Sequence, residues 1–301
     1  MENRNDIDNP GRWLTGAIND FINTSPDNTL KDQENERAWA DPLVGFSRGD
    51  DPLYEDFKSM IGDFYWTPIQ ILRMTFPHVA VEPNQLTIIS WILPQTDLTR
   101  ADNSKQVTYP AERWVRARVH GEEFNDTLRD HVAQTLTRAG IEAVAPMRSP
   151  LWKRETSDRY GFASSWSERH AAYASGLGTF GLCDGLITPK GKAMRCGSVV
   201  ANIKMPPTKR PYKHYQEYCI FFTQGICGKC ITRCPAGAIT EEGHDKVKCS
   251  AYMLGEVAEY SQSHYGFPQP RGCGLCQTGV PCESKIPTKR DVEAFESGKR
   301  L

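Results

Sequence analysis

None of the chain's ten cysteines lies before Cys183, so no disulfide framework can organise its first half. Long apolar runs are missing too. The longest mostly apolar stretch, Leu86 to Leu93, falls far short of the roughly 20 residues of a membrane-spanning helix. Charge of one sign is not in excess: 36 Lys plus Arg stand against 37 Asp plus Glu, which excludes a global field that would attract nucleic acid or an anionic membrane. Residues Met1 to Asp6 show neither the basic start nor the apolar stretch of a secretory signal, and no twin-Arg pair precedes one. The expectation is a soluble, cytoplasmic protein with no membrane partner and no nucleic-acid partner. With 301 residues, 24% of them charged and 39% hydrophobic, the chain can build one large domain or two modest ones around a real core.

What is present is concentrated near the C-terminal end. Eight cysteines fall between Cys219 and Cys282, and in a chain expected to be intracellular their clustering points to metal ligation. Cys227-Gly-Lys-Cys230-Ile-Thr-Arg-Cys234-Pro235 reads C-x2-C-x3-C-P, the tail of the bacterial two-cluster ferredoxin run. Short x2 spacings let one tight loop present two thiolates, and the cysteine before proline normally serves the other cluster. Cys273 and Cys276, with Cys249 before and Cys282 after, supply a matching half. The expected map is two [4Fe-4S] clusters, one on Cys219, Cys227, Cys230 and Cys282, the other on Cys234, Cys249, Cys273 and Cys276. Two features depart from the usual run: Gln224 occupies the place of its first cysteine, and x5 separates Cys276 from Cys282. Two four-thiolate zinc sites would use the same ligands.

Earlier segments alternate helix and strand signals. Residues 1–56 carry thirteen acids against five bases and read as an acidic N-terminal extension with an amphipathic piece from Trp13 to Ile22. Glu55 to Leu72 has helical spacing interrupted at Pro68, and Ala111 to Ala139 a long helix stopped by Gly140. Leu86 to Leu93 and Ile141 to Ala145 read as strands, Ser167 to Ser175 as a helix, and Leu186 to Thr188 and Ser198 to Ile203 as further strands. The fold class expected is α+β.

Gly176-Leu-Gly178-Thr-Phe-Gly181 matches G-x-G-x-x-G only formally. A helix, not a strand, precedes it, and no acid occurs from Gly185 to His214, so the nicotinamide reading fails. What survives is a glycine loop that permits close backbone approach to something flat or bulky, or else a plain helix cap and turn. Seven Lys or Arg residues from Lys190 to Lys213 form an acid-free stretch, suited to a phosphate or simply to solvent.

The text Ser167-Glu168-Arg169-His170 to Gly178, then Gly185-Leu-Ile-Thr-Pro-Lys-Gly191, then Arg195-Cys-Gly-Ser-Val-Val200, then the cysteine segment, resembles the epoxyqueuosine reductase and reductive dehalogenase superfamily. The resemblance implies a nitroreductase-like α/β domain holding a base-off cobalamin (residues 57–214) and an appended ferredoxin-like two-cluster module (residues 215–301). It places Gly176, Leu177, Gly178, Gly181, Gly185, Leu186, Ile187 and Thr188 along the corrinoid, with Arg195 and Ser198 on its other edge. No D-x-H-x-x-G motif offers cobalt an axial histidine, as the resemblance requires. It further implies a low-potential electron donor of ferredoxin or flavodoxin type and a small or nucleoside-like substrate. The acidic proton donor of epoxyqueuosine reductases is matched here by Phe162, which makes Tyr160 the candidate catalytic donor, with Asp158, Glu168 and His170 as alternatives. Glu168 and Arg169 read as a helix-start ion pair or cofactor-side anchors. An iron–sulfur electron carrier, or a corrinoid-reducing partner without its own substrate, is the competing class.

Overall fold

The structure is a computed structural model that describes residues 9–269 and 272–297. The chain opens with α1 (Pro10–Thr24), whose side chains Leu14, Ile18 and Ile22 recur at helical spacing and are all buried. Asn9 caps it by accepting from the Arg12 N–H at 3.1 Å, and Pro10 fits the first turn, where an N–H has no partner to lose. β1 (Leu43–Arg48), α2 (Leu53–Ile61), α3 (Pro68–Thr75), β2 (Thr87–Pro94), α4 (Asp97–Lys105) and the long α5 (Glu112–Arg138) follow. Then come β3 (Ala143–Val144), the hairpin β4 (Arg154–Ser157) and β5 (Gly161–Ser164), α6 (Glu168–Ala174), β6 (Thr179–Phe180), β7 (Leu186–Ile187) and β8 (Met194–Ala201).

β1, β2, β8 and β3 form one four-stranded sheet in that order, antiparallel at every pairing. All eight residues of β2 are buried, because helices cover both faces. The period of two sorts them. Ile88 and Ile92 pack with Tyr54, Phe57, Ile71, Leu72 and Trp166 from α2, α3 and the approach to α6. Ile89, Trp91 and Leu93 pack on the other side with α1 and α5 through Ile18, Phe124, Leu128 and Val132.

Beyond β8 the elements shrink: α7 (Ile220–Gln224), α8 (Lys229–Thr232), β9 (Ile239–Thr240), β10 (Gly243–His244), α9 (Lys246–Tyr252), a π-helical turn over Met253–Val257, α10 (Ala258–Tyr265) and α11 (Lys289–Glu296). This part is joined to the sheet domain by backbone bonds, the Lys192 N–H to Cys282 O at 2.9 Å and the Ala193 N–H to Glu283 O at 3.1 Å.

The long helix, the central strand and the helix before the glycine loop lie where sequence placed them, while other elements differ. The described part of the expected extension, residues 9–56, is not peripheral: β1 pairs with β2 from Leu43 to Arg48, and α1 covers one face of the sheet. The apolar positions of α1 are spaced for burial. The Glu55–Leu72 helix is two helices, since Gly62, at φ 146°, ends the first and Pro68 starts the second instead of kinking one. The strand expected at 141–145 shortens to two residues, and that expected at 198–203 begins four residues earlier, at Met194.

Candidate functional site: a buried thiol cavity

Cys219 caps α7, Cys227 lies in the turn that follows, Cys230 rides on α8, and Cys282 follows the segment Gly279 to Pro281. The turn is tight. Cys227 has φ 88° and the next residue, Gly228, φ 90°, a conformation a cysteine rarely adopts and one that brings its neighbours inward. These four cysteines, drawn from separate stretches of chain, line a single cavity closed by Leu182, Ile187 and Val280. Burial pushes the Cys282 thiol up to about 11.

A second set gathers beside it. Burial raises Cys273 to about 11, with the charges of Cys249 and Cys234 adding to the rise. Cys234 Sγ accepts from the Ala238 N–H at 3.3 Å. His244 is raised to about 10, against its burial, by Asp184 at 3.2 Å and by Cys249. Cys276 and Cys230 lie close enough to Cys183 to interact with it: that proximity and burial raise Cys276, and with Lys192 it holds Cys183, which is outside the ferredoxin pattern, well below the ordinary thiol range against burial. The Lys192 Nζ stands 3.2 Å from Cys183 Sγ, and Lys192 itself lines the thiol cavity. Burial opposes its charge, but Cys183, Cys282, Cys230 and Cys276 more than offset that penalty.

Sequence reasoning missed this lysine, reading it as one of seven cations in a basic stretch. That stretch is not an anion site as a whole. Lys190 donates to Asp41 O at 2.8 Å, Arg195 pairs with Glu122, and Arg210 with Asp51 at 2.8 Å. Also missed was an ionic network across the core. Arg129 of α5, 1% exposed in its side chain, pairs with Glu122 and with Glu168 of α6, both at 3.0 Å. Glu168 therefore turns inward, accepting from Ser198 as well, and Arg169 donates instead to Asp184 O. The helix-start ion pair does not form. The charges at 118, 122, 126 and 129 were visible at helical spacing, but such a pattern ordinarily marks a solvated face.

Tyr160 sits in the turn of the β4–β5 hairpin, 40% exposed, with the Arg159 guanidinium 5.2 Å and the Lys246 ammonium 6.0 Å from its ring. Phe162 is likewise exposed. His170 is half-buried; desolvation, with the nearby Arg169 and Lys246 charges, depresses it to about 3, and it contacts Ser167 at 2.8 Å. The glycine loop is turned against the protein itself. A side chain on Gly176 (φ 80°) would meet Lys209 O at 3.0 Å, and one on Gly178 would strike the Ile187 carbonyl. Of the ten residues expected along a corrinoid, only Gly176 and Arg195 are not fully buried.

No family model matches the chain. An epoxyqueuosine reductase of Bacillus cereus is 32% identical over 168 residues, which make up 54% of this chain and 39% of that protein. One of Bacillus anthracis is 31% identical over the same shares. A solved catabolic reductive dehalogenase in complex with 3-bromo-4-hydroxybenzoic acid is similar in fold, with TM-score 0.50 and 14% identity over 86% of this chain and 32% of that one. The sequence matches show similarity to epoxyqueuosine reductases over about half of this chain, and the dehalogenase match shows a likeness of fold. The chain spans well under half the length of the curated relatives it matches.

The two cofactor types that the resemblance implies fare differently. The donor set suits a cluster in its chemistry: four cysteines line one cavity, the ligand count of a [4Fe-4S] cluster. The assigned corrinoid residues fit poorly as a cofactor floor, because the protein's own carbonyls occupy the space left by Gly176 and Gly178, while Gly181 and Gly185 face Ile187, Cys183 and Lys192 side chains. No described helix is long and apolar enough to cross a membrane.

Proposed function

We propose that the chain is an iron–sulfur oxidoreductase of the epoxyqueuosine reductase and reductive dehalogenase superfamily, taking electrons from a low-potential donor protein and passing them to a small or nucleoside-like substrate. The observation that carries this reading is the convergence of Cys219, Cys227, Cys230 and Cys282 on one cavity. Those four would hold one [4Fe-4S] cluster, and Cys234, Cys249, Cys273 and Cys276 the other. Such clusters supply one-electron transfer at potentials set by their surroundings. The chain's own part is to exclude water through Leu182, Ile187 and Val280, to donate the Ala238 N–H to the Cys234 sulfur, and to hold Cys276 beside Cys183. Tyr160, open to solvent on its hairpin and flanked by two cations, is the group proposed to deliver a proton; His170, held neutral down to about 3, carries no proton to give at neutral pH beyond its own N–H.

Kinship makes a base-off cobalamin the acceptor to expect, yet most of the residues assigned to it are packed inside. That burial favours the second reading, an iron–sulfur electron carrier or corrinoid-reducing partner without substrate chemistry. One experiment separates the two. The full chain is purified without oxygen, reconstituted with iron and sulfide, assayed for metal and then titrated with cobalamin. Eight irons with stoichiometric base-off cobalamin supports the reductase, and eight irons with no uptake supports the carrier. Well under eight irons, or zinc in their place, overturns both. The variant C227S is expected to halve the iron content.

A further inference from the structure

Lys192 is 3% exposed. The chain around it is fixed: its N–H and that of Ala193 bond the carbonyls of Cys282 and Glu283, and Gly191 packs directly on the Glu283–Ser284 backbone. The side chain therefore has one course, into the cavity lined by Cys219, Cys227, Cys230 and Cys282. Its ammonium meets a sulfur, Cys183, at 3.2 Å, and among the described residues no carboxylate pairs with it. Removing an ammonium from water costs several kcal/mol unless a counter-charge accompanies it. Here only sulfur is placed to serve.

We propose that Lys192 is a built-in counter-cation of the thiol cavity, a positioning residue that raises the reduction potential of the cluster held there. The inference rests on the iron–sulfur reading above. Each electron accepted adds one negative charge in a water-poor space, so a fixed positive charge beside the sulfurs favours the reduced form, and net charge and hydrogen bonding at sulfur are established determinants of cluster potential. Lys192 lines the cavity of Cys219, Cys227, Cys230 and Cys282, so the cluster held there is expected to feel it more than the other.

The test is a redox titration of the reconstituted full-length protein followed by electron paramagnetic resonance, on wild type, K192M, K192Q and K192R, with iron assayed in each. K192M and K192Q are expected to keep eight irons and to lower one of the two midpoint potentials by at least a tenfold change in the reduction equilibrium, about 59 mV for one electron. K192R, which retains the charge, is expected to shift that potential less. Unmoved potentials in iron-replete K192M and K192Q overturn the proposal. So does loss of iron from both variants while they keep a wild-type circular dichroism spectrum, because that assigns Lys192 to cluster assembly. A wild-type protein that takes up no iron removes the parent reading as well, and so is distinguishable from either result.

Discussion

The sheet domain and the cysteine-rich part are built on different physics. From β1 to β8 the chain buries large side chains on both faces of a sheet, and Trp39, Trp91, Trp114 and Trp166 are almost wholly enclosed. Such a region stands on apolar burial. After β8 the strands are two residues long and the first two helices span four and five, with positive φ at Gly225, Cys227, Gly228, Gly237, Gly243, Gly272, Gly274 and Gly279. The first elements of this second region are too short to hold themselves together; the clusters proposed for its thiolates would supply the organising contacts.

The largest expected effect breaks that comparison open. Stripping iron from reconstituted protein with a chelator should abolish hydrogen-exchange protection from Cys219 to Cys282 while the amides of β2 and β8 keep theirs. Equal loss in both regions would show that one cooperative unit spans them. Next comes Trp91→Ala, which empties a fully buried site and removes the indole bond to Asn125 at 3.0 Å. It should cost about 3–5 kcal/mol in denaturant unfolding, with iron content per folded chain unchanged. The smallest effect is a pH dependence inside the sheet domain. His170 is held neutral down to about 3 and would titrate near 6.5 when unfolded, so the unfolded chain binds the extra proton. Stability from this group is present above pH 6.5 and falls as pH drops toward 3, with solvent at the half-buried ring keeping the slope well below one full proton. His170→Asn should flatten that slope, read from unfolding at pH 4 to 7; an unchanged slope would place the proton elsewhere.

Legibility followed the range of the interactions. β2 was readable because eight neighbouring residues all point into apolar surroundings, and the ferredoxin spacing because its ligands are local. β1 was not, since Gly45, Ser47 and Arg48 dilute its pattern and only pairing with β2 explains it. Glu168 and Arg129 lie 39 positions apart, and nothing local says that they meet. Lys192 was hidden by company: among exposed lysines, one that turns inward has no distinguishing neighbour in sequence. The glycine loop was legible as a place of close approach, but what approaches it is the carbonyl of Ile187, a partner sequence could not name.

The cavity that unites Cys219 with Cys282 also sets an order of events. Its lining runs from Leu182 to Pro287, so it cannot close until the stretch carrying Cys282 has docked on the sheet edge at Lys192. Until then Cys219, Cys227 and Cys230 stand without their fourth partner, and that interval is when oxidants have their best access to them.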